Sequence, residues 1–185
     1  LIAWDIAEHF NENFKKLDLG LKAQLATDSK LSAIRYKAAL DATNLVTSAV
    51  VISAPDTREG HEDTDETKTP EVQAWWKAHV GNDPKSYEDG IIEDFSTDGN
   101  PDILIVVDKL LTGFDEPRNA VLYIDKHLKS HNLLQAIARV NRVFKDKPGG
   151  LVVDYIGIAN ELKQALKNYT DSKGRGEPTV DTCEA

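Results

Sequence analysis

The chain has 185 residues, 41% of them hydrophobic and 29% charged, an ordinary composition for a globular protein able to bury its own core. No apolar stretch approaches the roughly 20 residues of a membrane span, no signal-peptide pattern opens the sequence, and the single cysteine, Cys183, excludes an internal disulfide and favours a cytoplasmic setting. A net charge of −9 speaks against a nucleic-acid binder unless the charge is unevenly spread.

Residues 1–18 space Ile2, Ile6, Phe10, Phe14 and Leu17 near four apart, with Trp4 adjacent, which predicts an amphipathic helix ended by Gly20. With no methionine even at position 1, the chain reads as a fragment of a longer protein, and residues 1–20 as a connecting helix from a preceding part. Ala23–Ala26 predicts a short strand. Thr27-Asp28-Ser29 follows as a polar turn, with Asp28 or Ser29 the N-cap of a helix running to about Ala42. Strand, turn and helix form the first half of a parallel crossover, and free N–H groups at such a helix start suit an anion. Lys30 lies in the first turn. The alternative at this turn is a plain capped helix.

Val46–Ser53 predicts the next strand, and residues 54–69 an acidic surface insertion. Helices follow from Pro70, with Val72, Trp75, Trp76 and Val80 on one pattern, and from Pro84, with Tyr87, Ile91, Ile92 and Phe95 facing inward. Residues 55–98 hold thirteen acids against four bases, which accounts for the whole net charge. Residues 99–150 hold eight bases against six acids and are the only net-basic quarter, so charge neither implies nor excludes nucleic acid.

Ile103–Val107 is five apolar residues, four of them β-branched, and predicts a strand buried on both faces. The run stops at Asp108-Lys109, and Gly113 and Pro117 mark an irregular loop before a strand at Val121–Ile124. A helix over about Asn132–Val143 then places Gln135, Arg139 and Arg142 within about 60° of one another on one face, with Leu133, Ile137 and Val140 opposite. Arginine presents a planar fork of donors suited to phosphate oxygens. A solvated face with ordinary ion pairs is the alternative. Pro148-Gly149-Gly150 predicts a turn, Leu151–Tyr155 a buried strand, and Ile158, Leu162, Ala165, Leu166 and Tyr169 a closing helix. Residues 171–185 are expected to be a disordered tail.

About five strands alternating with helices predict a parallel, doubly wound α/β domain, with ligands outside the carboxyl ends of the strands. The loops Thr27–Ser29, Ser53–Asp56, Asp108–Asp115 and Asp125–His131 are assigned to that rim. No phosphate-binding G-x-x-x-x-G-K-[ST] is present. Pro55-Asp56 with Glu66-Thr67-Lys68 spells a PD…ExK nuclease pattern, but in a charged loop rather than on rigid strands; Asp65-Glu66 likewise follows no strand. His127 and His131 straddle a helix start without a third ligand, and no metal site is expected.

The stretch Asp108–Asp115 (DKLLTGFD) resembles motif V of superfamily 2 helicases, with Gly113 and Asp115 as its G-x-D core, and Gln135–Arg142 (QAIARVNR) resembles motif VI, Q-x-x-x-R-x-x-R. From about Lys22 to Leu166 the wording, including KAQLATDSKLSAIRYK, VVISAPDTREGHED and GGLVVDYIGI, is similar to the R (motor and restriction) subunit of type I restriction endonucleases. The resemblance implies a second RecA-like domain over residues 21–170, with five or six parallel strands and helices on both faces. It further implies one half of an ATP-driven double-stranded DNA translocase. ATP and Mg²⁺ would be held mainly by a first motor domain absent from this chain. Arg139 and Arg142 would reach the γ-phosphate, one or both as an arginine finger, with Gln135 supporting them. Asp115 would contact the ribose or couple nucleotide to DNA, with Gly113 and Gln135 also among the nucleotide-binding residues. Thr112, with Gly113, would lie near the DNA backbone, and the Thr27–Lys30 turn, through Ser29 and Lys30, would make a phosphate contact. Implied partners are the upstream RecA-like and nuclease domains of the same subunit and the methylation and specificity subunits. The chain alone is expected to be catalytically silent. Two rival readings are a non-catalytic nucleic-acid- or protein-binding α/β module and a nuclease using Asp56, Glu66 and Lys68.

Overall fold

The run Ile103–Val106 is wholly shielded from solvent, as its unbroken apolar content requires of a strand covered on both faces. In the computed structural model, which describes residues 1–55 and 70–173, it forms strand β3 near the middle of one sheet. The other strands are β1 (Lys22–Thr27), β2 (Ser48–Val51), β4 (Asn119–Asp125) and β5 (Leu151–Asp154). All neighbours pair in parallel, in the order β2-β3-β1-β4-β5. The helices are α1 (Ile2–Asn13), α2 (Lys30–Ala42), α3 (Pro70–His79), α4 (Pro84–Phe95), α5 (Ser130–Val140) and α6 (Ala159–Lys173), with a 3-10 turn at Lys15–Leu17.

Strand side chains alternate between faces, and the alternation divides the core in two. Ala23, Leu25, Ile103, Ile105, Val121 and Tyr123 pack under α1 and α2, against Ile6, Phe10 and Leu40. Ala26, Leu104, Val106, Leu122 and Ile124 pack under α4, α5 and α6, against Phe95, Leu133, Val140 and Ile158. The expected parallel sheet with helices on both faces is therefore present, with five strands. Helix α1, expected only to connect, is built into the domain: Ile6, Ala7 and Phe10 are fully buried, each large side chain contributing about 1.5–3 kcal/mol.

Several expectations are corrected. Strand β5 was read as buried, yet it is an edge strand with one neighbour and only partial cover; Leu151 is 40% exposed. Helix α5 ends at Val140, so Arg142 lies beyond it. Helix α6 continues to Lys173, past the expected start of the tail. Most of the acidic insertion, with Asp56, Asp65, Glu66 and Lys68, and the tail from residue 174, with Cys183, lie outside the described residues.

The connection from β3 to β4 positions everything that follows. Three of the crossovers are helical, but residues 107–118 have no helix. They traverse the α4–α6 face of the sheet, where Leu110, Leu111 and Phe114 join the core. Helix α5 leaves the carboxyl end of β4 and must run back across the sheet so that β5 can start parallel to β4. Its last turn therefore reaches the amino rim, where Gly150, just before β5, lies against the Val140 carbonyl.

Candidate functional site

Helix α5 is anchored by Leu133, Ala136 and Val140, which are buried, while Ile137 packs partly against the same core. The other face carries Gln135 and Arg139, and Arg142 follows in the turn after the helix. Together with Thr112, Gly113 and Asn141 these three side chains line an open cleft of about 730 Å³. The structure thus brings the Asp108–Asp115 loop and the Gln135–Arg142 segment together, although they lie some twenty residues apart in sequence.

One carboxylate joins the two arginines. Asp115 Oδ1 is 3.2 Å from Arg142 Nε, and Asp115 Oδ2 is 3.7 Å from Arg139 Nη1. The Arg139, Arg142 and Asp115 side chains are 29%, 54% and 44% exposed, so both pairs are open to water. Solvent-exposed pairs of this kind are worth at most about 1 kcal/mol each. An incoming polyanion can compete for these guanidiniums, which it could not do for a buried and saturated pair.

Gln135 pairs differently from the role the resemblance implies. Its Nε2 lies 2.8 Å from His131 Nε2, one helical turn back, and the amide makes no described contact with either arginine. Ser29 and Lys30 stand apart from the cleft. They begin α2, on the opposite face of the sheet and at the carboxyl rim. Ser29 is the N-cap: its Oγ accepts from Ser32 N at 3.1 Å and donates to Ser32 Oγ at 2.8 Å. Lys30 Nζ donates to the Ala54 carbonyl at 3.0 Å. The sequence reading assigned the Thr27–Ser29, Asp108–Asp115 and Asp125–His131 loops to the carboxyl rim, and with them the functional edge of the stretch that ends in the arginines. The arginine end of α5 is at the amino rim instead, because the helix carries its last turn back across the sheet.

A buried amide pair, unforeseen from sequence, sets the loop. Gln24 on β1 and Asn119 at the start of β4 are 2% and 1% exposed, and Asn119 Nδ2 donates to Gln24 Oε1 at 2.7 Å. Gln24 Nε2 in turn donates to the Leu110 carbonyl at 3.1 Å. Leu110 has φ +64°, a left-handed conformation that a leucine adopts only when its surroundings hold it there. The signal available in sequence was one glutamine inside the apolar strand Lys22–Thr27.

The donor set fits phosphate. Two guanidiniums converge on one anionic group beside an exposed loop, and among the described residues no group of three or more His, Cys, Asp or Glu side chains could hold a metal ion. The paired guanidiniums of the cleft suit an anionic group such as phosphate.

Residues 7–157 match the family described as "Type I restriction enzyme subunit R domain 3". The MjaIXP endonuclease subunit of a type I restriction enzyme from Methanocaldococcus jannaschii is 39% identical over 181 residues, covering 97% of this chain and 16% of that protein. The HindI endonuclease subunit of a type I restriction enzyme from Haemophilus influenzae is 54% identical over 82 residues, covering 43% of this chain and 8% of that protein. Among solved structures, a fragment of an HsdR subunit of a type I restriction enzyme from Vibrio vulnificus shares the fold. It has a TM-score of 0.59 and 19% identity, covering 94% of this chain and 29% of that one. The sheet and its two helical layers are thus RecA-like in arrangement, and the chain spans only a small part of its curated relatives' length.

Proposed function

This chain belongs to the type I restriction enzyme subunit R domain 3 family, and we propose that it is the second RecA-like half of an ATP-driven double-stranded DNA translocase. The observation that carries the reading is the convergence of Arg139 and Arg142 on a single carboxylate within an open cleft shared with Thr112 and Gly113. In this reading the assembly is a restriction complex working in the cytoplasm, with methylation and specificity subunits as partners. A first motor domain and a nuclease domain belong to the same subunit, and the first motor domain supplies the P-loop and the Mg²⁺ ligands.

ATP bound across the two domains supplies a γ-phosphoryl group whose transfer needs charge stabilisation more than covalent help. The residues of this chain contribute that charge. Arg139 and Arg142 exchange their shared Asp115 for phosphate oxygens only when the domains close, so hydrolysis is tied to an opening and closing cycle. Asp115, released from the pair, is free to contact the ribose, and its motion passes along the short loop to Thr112 and Gly113 beside the DNA backbone. Lys30 offers a separate backbone contact from the carboxyl rim, while the Ser29 hydroxyl, buried and spent on Ser32, caps the helix beneath it. Contacts of this kind ignore sequence, as a translocase must.

The test is substitution in the intact subunit. Arg139→Ala and Arg142→Ala are expected to lower DNA-stimulated ATP turnover, with about 10³–10⁵-fold lost for whichever acts as the finger. ATP turnover at the wild-type rate in both variants would overturn the motor reading and leave a binding module with the same fold.

A further inference from the structure

Lys147 lies five residues beyond Arg142, in a stretch that sequence alone presents as more of the same basic strip. Its environment is different. The ammonium donates to three main-chain carbonyls: Arg142 O at 2.8 Å, Asn119 O at 2.8 Å and Pro117 O at 3.1 Å. An ammonium has three N–H donors and no acceptor, so these bonds use all of it. Nothing remains for a phosphate. The side chain is half-buried, and desolvation holds its pKa below the ordinary lysine value against the opposing pull of Glu116.

The three carbonyls belong to the two segments that form the arginine–carboxylate pair. Pro117 is two residues after Asp115, and Asn119 opens β4, so both fix the end of the loop that carries Asp115. Arg142 lies past the end of α5, whose last main-chain bond is Asn141 N to Ile137 O at 3.3 Å. The helix ladder therefore does not hold Arg142. Lys147 closes a tight turn, with its own N–H donating to the Phe144 carbonyl at 2.9 Å, and reaches back to do so. We infer that Lys147 is a positioning residue that locks the Arg142 backbone to the end of the Asp115 loop, setting the geometry in which Arg142 meets a phosphate. The inference rests on the motor reading and adds to it a group that never touches nucleotide or DNA.

The intact subunit provides the test, with DNA-stimulated hydrolysis of radiolabelled ATP as the readout. Lys147→Met leaves three carbonyls without their donor; kcat is expected to fall by up to about 10²-fold, the scale of a misplaced reacting group, with KM for ATP little changed. Lys147→Arg, which keeps charge and donors, is expected to recover most of the rate. In an Arg142→Ala background, Lys147→Met is expected to add less than about twofold, because the side chain it positions is gone. Equal losses in both backgrounds would mean a general structural tie and would overturn the inference, as would an unchanged kcat in Lys147→Met. Lys147→Gln, with two donors, gives the same reading where the methionine variant does not fold. Failure of the motor reading is a separate result: it would show as wild-type turnover in Arg139→Ala and Arg142→Ala themselves.

Discussion

Polar and charged groups in this chain are held at two different strengths, and the difference decides which can act. Asp115 shares its oxygens between two guanidiniums in the open, whereas Lys147 and Gln24 are spent on main-chain carbonyls. His9 belongs to the second kind. Its Nδ1 is 2.8 Å from the hydroxyl of Tyr123, which is fully buried; in the neutral ring either partner can donate that bond, according to the tautomer. Burial lowers the His9 pKa from 6.5, with Asp5 opposing. A ring protonated on both nitrogens can only donate to Tyr123, and its charge must be held in a partly buried place. The unfolded chain takes up its proton near 6.5 and the folded one only at lower pH. The contribution to stability is therefore whole above that value and is lost as pH falls from it toward the lowered folded pKa. Thermal unfolding between about pH 7.5 and 5.5 should show this decline in the native sequence and a shallower one in His9→Gln, which retains an acceptor without titrating. Parallel declines would assign the effect elsewhere.

Among the elements, α5 shows how far the sequence could be read. Its apolar stripe and its polar face were both legible, because a period near 3.6 needs only local spacing. Its rim was not. A helix of eleven residues is about 16 Å long, enough to carry its last turn from one edge of the sheet to the other, and nothing local reports that displacement. The Ser29 cap was legible for the same local reason that α5's stripe was. The Gln24–Leu110 bond joins residues 86 apart, through a conformation of Leu110 that propensity disfavours, and could not be anticipated. The turn after α5 was read simply as Pro-Gly-Gly, yet Gly150 has a definite packing role. A Cβ there would lie 2.5 Å from the Val140 carbonyl oxygen and 2.8 Å from Asn141 N, both backbone atoms that cannot swing aside. Gly150→Ala should therefore push the end of α5 off the start of β5 and cost on the order of 1–3 kcal/mol in urea unfolding. A change below about 0.5 kcal/mol would mean that this junction yields easily and is not what fixes the arginine turn.

Across the whole domain, the two polar regions assigned to a motor lie on opposite faces and opposite rims of one rigid sheet. Strand β1, six residues and roughly 20 Å long, ends at the turn that starts α2, whereas the arginine cleft is at the other end and on the other side. Side chains so separated, with no shared partner, act independently unless the sheet itself deforms. Lys30 uses one of its three donors on Ala54 O, which in the proposed motor leaves two for a DNA phosphate, while Arg142 is proposed to face the nucleotide. In the intact subunit, Lys30→Ala should weaken DNA binding and reduce the slope of log affinity against log salt by about 1, with ATP turnover at saturating DNA unchanged. Arg142→Ala should do the reverse, lowering turnover while leaving DNA affinity and its salt slope intact. Because both residues belong to one domain, such a clean separation would mean that the Lys30 contact is linked to the nucleotide through movement of that domain as a body, apart from the local route along the Asp115 loop to Thr112 and Gly113. Loss of both properties in either variant would instead require a path through the sheet, linking the α2 turn to the loop that holds Asp115.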